Sequence, residues 1–178
     1  MLVCFFAVVL SFNAHSDKKF DDFSRSYRVK WVKNNLAQRY AECEMLLYMA
    51  GNIHNKLDIE PLTDCEKLWV IATAVQESGL SNKVISPAKA KSSMQTYRKY
   101  APRGCKSKKC DLRYAGIYHA VTYKRKYVMC DAAAKYNAGP SGRCEGLGGG
   151  YAKRVLNNFF QLWEYESLLC LPDGDKGC

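Results

Sequence analysis

The chain has 178 residues, 48% hydrophobic and 25% charged, with a formal net charge of +10. That length fits one domain, at roughly 100–200 residues each, and the balance excludes large-scale disorder. The positive charge calls for an anionic partner (nucleic acid, an anionic cell envelope or a membrane surface) without choosing among them.

Met1 to Ala14 is apolar and uncharged. It falls short of the ~20 apolar residues a membrane span needs. Its length suits the apolar part of a signal peptide, with Ala14 and Ser16 as the small residues ahead of cleavage before Asp17. No positive residue precedes it, so a weakly held anchor and a buried N-terminal element compete with that reading. Val29, Val32, Leu36, Tyr40, Cys43, Leu47 and Ala50 recur at three- or four-residue steps before Gly51, which predicts a packing helix. Asn52 to Leu62 reads as a connection. Thr63 and Glu66 have the spacing of a capping box, predicting a helix over 64–78 that Gly79 ends. Leu68, Ile71, Ala72 and Val75 form one stripe on it, and Val70 and Ala74 another. Such a helix belongs in the middle of the domain, and Glu77 in its last turn is then a partly buried carboxyl.

Residues 81–104 read as loop and short helix, punctuated by Pro87 and Pro102. Helices are predicted over 112–129 and 131–136, with a break at Asn137-Ala138-Gly139-Pro140. Residues 146–150 are expected to form a turn or flexible hinge. A last amphipathic helix carries Tyr151, Val155, Phe159, Leu162, Trp163 and Tyr165. Alternating strands are scarce, so the domain is expected to be mainly α.

Removing the leader takes away Cys4 and leaves eight cysteines: Cys43, Cys65, Cys105, Cys110, Cys130, Cys144, Cys170 and Cys178. An even number favours a disulfide framework, and with it a secreted or periplasmic protein in an oxidising compartment. No Cys-x-x-Cys occurs and the three His lie outside ligand spacing, so neither metal nor cofactor is expected. Cys105 and Cys110 enclose Lys106-Ser107-Lys108-Lys109 as a candidate stapled basic loop. The remaining connectivity is open.

Glu77 closes the nearly uncharged run from Trp69 to Gln76, and the 33 residues from Ser78 to Cys110 hold nine Lys or Arg and no Asp or Glu. Glycoside cleavage needs a protonated acid at the leaving oxygen, and most glycosidases add a second carboxylate. None is at hand here, since Asp111 and Asp131 read as helix-start residues. The pattern suits a single-acid mechanism.

Three clusters stand in order: Glu77-Ser78-Gly79, then Val84-Ile85-Ser86-Pro87-Ala88-Lys89-Ala90-Lys91-Ser92-Ser93-Met94-Gln95, then Ala132-Ala133-Ala134-Lys135-Tyr136-Asn137-Ala138-Gly139-Pro140. Together they resemble the soluble lytic transglycosylases, which share a lysozyme-like fold with the goose-type lysozymes. The family pattern is Glu-Ser-Gly at a helix end, Ser-Pro-Ala-Gly-Ala-x-Gly-Leu-Met-Gln, and Ala-x-Tyr-Asn-Ala-Gly. The resemblance covers about residues 64 to 160. It implies a mainly α, lysozyme-like catalytic domain with a substrate cleft, stapled by disulfides, over 63–178. Ahead of it stand a signal peptide over 1–16 and a helical segment over 17–62 that packs on the core.

The resemblance implies cleavage of the β-1,4 bond between N-acetylmuramic acid and N-acetylglucosamine in peptidoglycan. Glu77 would donate a proton and then accept one, while the muramic acid 6-hydroxyl attacks and leaves a 1,6-anhydro sugar. Ser78 orients the Glu77 carboxyl or else caps the helix. Met94 supplies an apolar wall or else packs in the core, and Gln95 hydrogen-bonds an N-acetyl group. Tyr136 and Asn137 line the cleft, and Tyr151 faces Glu77. Three departures reshape the second cluster: Lys89 and Ser92 stand where the family has Gly, and Ser93 where it has Leu. Two alternatives remain, a hydrolytic muramidase and a non-catalytic cationic cell-wall-binding protein. Peptidoglycan and the anionic envelope are the expected partners of a monomer with no membrane span once the leader is removed. Nucleic acid is disfavoured, although Lys106 to Lys109 and Tyr123 to Tyr127 offer basic runs.

Overall fold

The computed structural model of the protein describes residues 36–164, so the leader, Val29, Val32, Tyr165, Cys170 and Cys178 lie outside it. Five helices carry the fold: α1 (Leu36–Gly51), α2 (Asp64–Ser78), α3 (Leu112–Lys126), α4 (Met129–Ala138) and α5 (Gly149–Glu164). Short 3-10 turns stand at Ile53–Asn55, Arg98–Tyr100, Arg103–Cys105 and Gly139–Ser141. Among the described residues there is no strand, only an isolated antiparallel bridge between Lys91 and Thr96.

The start and stop of α2 follow from its sequence. Thr63 Oγ1 accepts from the Glu66 amide at 3.2 Å, and Glu66 Oε2 accepts from the Thr63 amide at 3.0 Å. These bonds satisfy amides that a helix start leaves without intrahelical partners. Arg125, near the end of α3, closes on Glu66 at 2.6 Å and so ties the two helices together. At the other end Gly79 adopts φ 61°, and the chain leaves α2 through a left-handed residue that glycine accepts without strain. Every side chain from Leu68 to Val75 is buried, and each large apolar one contributes about 1.5–3 kcal/mol.

Neighbouring helices enclose α2. It packs on α1, α3 and α5, while α4 lies against α3 and α5. Trp69 meets Phe159 of α5 edge-on at 5.7 Å and donates its indole N–H to the Ala120 carbonyl of α3 at 3.2 Å. Asn158, buried on α5, donates to the Ala72 carbonyl at 3.4 Å.

One expected helix boundary needs correction. The break between α3 and α4 falls at Tyr127 and Val128, not at Cys130. Tyr127 is extended, and its amide caps the Tyr123 carbonyl, while Asp131 lies inside the first turn of α4 and accepts from the Cys144 amide at 2.7 Å. The apolar stretch across the break hid it, because hydrophobic spacing does not register a two-residue break. The expected turn is present at residues 147–148, and Gly149 and Gly150 open α5. A Cβ at Gly149 would lie 2.1 Å from the Cys144 carbonyl oxygen, so close backbone packing, not hinge freedom, explains that glycine.

Disulfides join Cys105 to Cys110 and Cys130 to Cys144, with Cα separations of 5.1 and 5.2 Å. The first staples the basic loop as expected. Cys43 and Cys65 are also disulfide-bonded. Among the described residues no helix is long and apolar enough to cross a membrane.

Candidate active site

Glu77 sits half-buried in the last turn of α2. Its Oε1 accepts from the Tyr151 hydroxyl of α5 at 2.7 Å. Burial pushes its pKa up to about 7, and the Tyr151 hydrogen bond partly opposes that rise. No ion pair to Glu77 forms among the described residues. The dense basic residues after it therefore do not neutralise it. A carboxyl tuned in this way is protonated and ionised in comparable amounts near neutral pH, which suits a group that must give and then take a proton.

Two phenols flank the acid. Tyr151 and Tyr136 are both driven above the ordinary phenol range, first by burial and then by the Glu77 charge. Each therefore stays neutral and remains a donor. Tyr136, on α4, donates to the Met94 carbonyl at 2.7 Å. The end of α2, the turn before Thr96, α4 and α5 thus meet around one carboxyl.

The second cluster forms a tight turn. Lys91 and Thr96 exchange amide-to-carbonyl bonds at 3.3 and 2.9 Å, enclosing residues 92–95. Gln95 Nε2 donates to the Val84 and Ser92 carbonyls at 2.9 and 2.8 Å, while its Oε1 accepts nothing from the described residues. Lys89, Ser92 and Gln95 have φ values of 67°, 71° and 45°. Both positions at which the sequence departs from the family glycine are thus left-handed, a conformation that costs a side chain about 1–2 kcal/mol. The turn keeps a backbone that glycine would adopt freely. Gly116 of α3 lets it approach, since a Cβ there would lie 2.3 Å from Met94 Cβ.

Two expected roles resolve to their structural alternatives, and a third residue, Asn137, stays exposed, which leaves the cleft-lining role expected of it open. Ser78 does not hydrogen-bond Glu77: its hydroxyl donates to the Ala74 and Ser93 carbonyls at 3.2 and 2.8 Å and accepts from the Ser81 amide at 3.0 Å. That is the capping alternative, extended to grip the 92–95 turn. Met94 has 0% exposure and packs in the core, leaving its side chain no face for a sugar; only its carbonyl reaches Tyr136. Asn137 is exposed at the end of α4, with no hydrogen bond from its side chain to the described residues. Tyr151 is bonded to the acid and Tyr136 lies close enough to feel its charge, while Gln95 is held within the 92–95 turn by its bonds to the Val84 and Ser92 carbonyls.

Neither Asp111 nor Asp131 serves as a second carboxylate beside Glu77. Asp111 caps α3 by accepting from the Arg113 amide at 2.9 Å, and Asp131 is occupied by Cys144. Residue spacing did not single out Glu42, Ser93 and Arg113, which join in a buried polar chain reaching Ser78. Glu42 precedes Leu46 by four residues and so shares its core face, the one signal in the sequence. The basic run after Tyr123 is partly structural, because Arg125 is spent on Glu66 and the Glu60 and Pro61 carbonyls. Comparison with protein-family models, curated proteins and solved structures finds no match. No group of three or more metal-ligating side chains occurs among the described residues.

Proposed function

We propose that the protein is a peptidoglycan lytic transglycosylase with a lysozyme-like fold, and that Glu77 is its acid and base. The observation that carries this reading is the half-buried Glu77 carboxyl, with its pKa near 7 and its Tyr151 partner. Glu77 gives its proton to the glycosidic oxygen as the bond from C1 of N-acetylmuramic acid breaks. The 6-hydroxyl of the same sugar bonds to C1, and its proton passes to the Glu77 carboxylate. No water is consumed, the acid is regenerated, and the products are a 1,6-anhydro sugar and a free 4-hydroxyl. A single carboxyl suffices because the substrate supplies the nucleophile. Gln95 and Asn137 are the polar groups proposed to meet N-acetyl groups in the cleft.

The same proposal places the protein outside the reducing cytosol, in keeping with its disulfides. Its basic surface, including the stapled loop at Lys106 to Lys109, would hold it on an anionic envelope. The deciding experiment is mass spectrometry of muropeptides released from purified cell walls by the wild type and by Glu77→Gln. Products one water lighter than reducing-end muropeptides, absent with the variant, are expected. Reducing-end products alone would make the protein a muramidase. Equal release by both proteins would remove Glu77 from the chemistry, and release by neither would leave the cationic binding protein.

A further inference from the structure

Ser93 stands where the family pattern has Leu, and its hydroxyl is not idle. It donates to Glu42 Oε1 of α1 at 2.5 Å, while Arg113 Nη1 donates to Glu42 Oε2 at 2.9 Å. Arg113 in turn pairs with Asp111 at 2.6 Å. On the other side, the Ser93 carbonyl accepts from Ser78, the residue next to Glu77. Glu42 is 8% exposed and Ser93 fully buried. A buried carboxylate is tolerated only when its oxygens are paired, and here both are taken. The contacts run unbroken from the start of α3, through α1 and the 92–95 turn, to the end of α2.

We infer that Glu42, on a helix ahead of the region that resembles the transglycosylases, is a positioning residue: with Arg113 it holds Ser93 and so fixes the 92–95 turn against the end of α2. An apolar side chain at 93 would fill space without direction. A hydroxyl gripped by a fixed carboxylate specifies where the turn lies, and with it the free Oε1 of Gln95 and the carbonyl that Tyr136 holds. The consequence is that α1 belongs to the site and is more than external packing. Glu42 itself touches no substrate.

This inference rests on the proposed glycan-cleaving role, and its test separates the two. Ser93→Ala is introduced into the Glu77→Gln protein, and binding of soluble, uncross-linked peptidoglycan strands is measured alongside amide hydrogen exchange. Loss of one hydrogen bond to a charged group predicts a Kd raised about 10- to 150-fold. Exchange at the Lys91 and Thr96 amides is expected to accelerate while that of α2 stays unchanged. Ser93→Thr, which keeps the hydroxyl, is expected to recover most of the binding. Unchanged Kd and unchanged exchange, with only a lower unfolding temperature, would overturn the inference and leave the network purely structural. If Ser93→Ala does not fold, Glu42→Gln, which weakens the grip of Arg113, is expected to raise Kd about threefold or more, and an equal Kd would overturn the inference. Cleavage by the wild type against Glu77→Gln tests the catalytic reading independently, since the binding comparison is made between inactive proteins.

Discussion

Replacing Glu77 with Gln keeps the shape of the side chain and an acceptor for the Tyr151 hydroxyl, but removes the charge. In the fold the carboxyl titrates near 7 instead of 4.5. Below the lower value both folded and unfolded chains hold the proton, and burial costs nothing. Between the two values the unfolded chain releases it and the fold does not, so stability falls as pH rises. At about 1.4 kcal/mol per pH unit, the ionised site costs about 3 kcal/mol once pH exceeds 7. Glu77→Gln is therefore expected to match the wild type in stability near pH 4 and to exceed it by about 3 kcal/mol at pH 8. For a chain of this size that is roughly 5–12 °C in unfolding midpoint. Thermal unfolding of both proteins across pH 4–9 measures the difference directly. A gap that does not widen with pH, or a wild type more stable at pH 8, would refute the claim that burial governs this carboxyl. The same substitution is expected to lower cleavage by about 10²–10⁴-fold.

Tyr151→Phe removes the bond that holds the Glu77 pKa down, so the alkaline limb of the activity profile should move to higher pH; an unmoved limb would show that the bond does not tune the acid. Gly116→Ala drives a methyl into Met94 and Thr96, and is expected to cost about 1–3 kcal/mol in denaturant unfolding while weakening glycan binding. Lys89→Gly releases an exposed left-handed residue from strain and is expected to stabilise by up to about 1 kcal/mol, less the extra freedom glycine gains in the unfolded chain. Lys89→Ala, strained in the same way, is its control and should change little.

Local rules made much of the helical frame readable. The Thr63–Glu66 box and Gly79 set both ends of α2 correctly because capping is a short-range interaction. The break at Tyr127 and Val128 was not readable, since an apolar run looks the same on either side of a two-residue break. Around Glu77, chain order revealed the acid and the flanking segments but not which atoms meet. Ser78 caps the helix instead of orienting Glu77, and Met94 packs in the core instead of walling a sugar site, because their neighbours across the fold, Ser93 and Gly116, claim them. Glu42 was hidden for the same reason. Its partners lie 51 and 71 residues away along the chain, and no spacing rule spans such distances.

A helix enclosed on so many sides gives the molecule an immovable reference point. The α2 side chains from Leu68 to Val75 are all buried, so the carboxyl at its end is held in place and, under the proposed function, does not travel to meet different sugars. Accommodation then has to come from the largely exposed chain between Ser81 and Lys91. Inherited change in substrate preference should therefore accumulate in that stretch, while α2 itself tolerates little alteration.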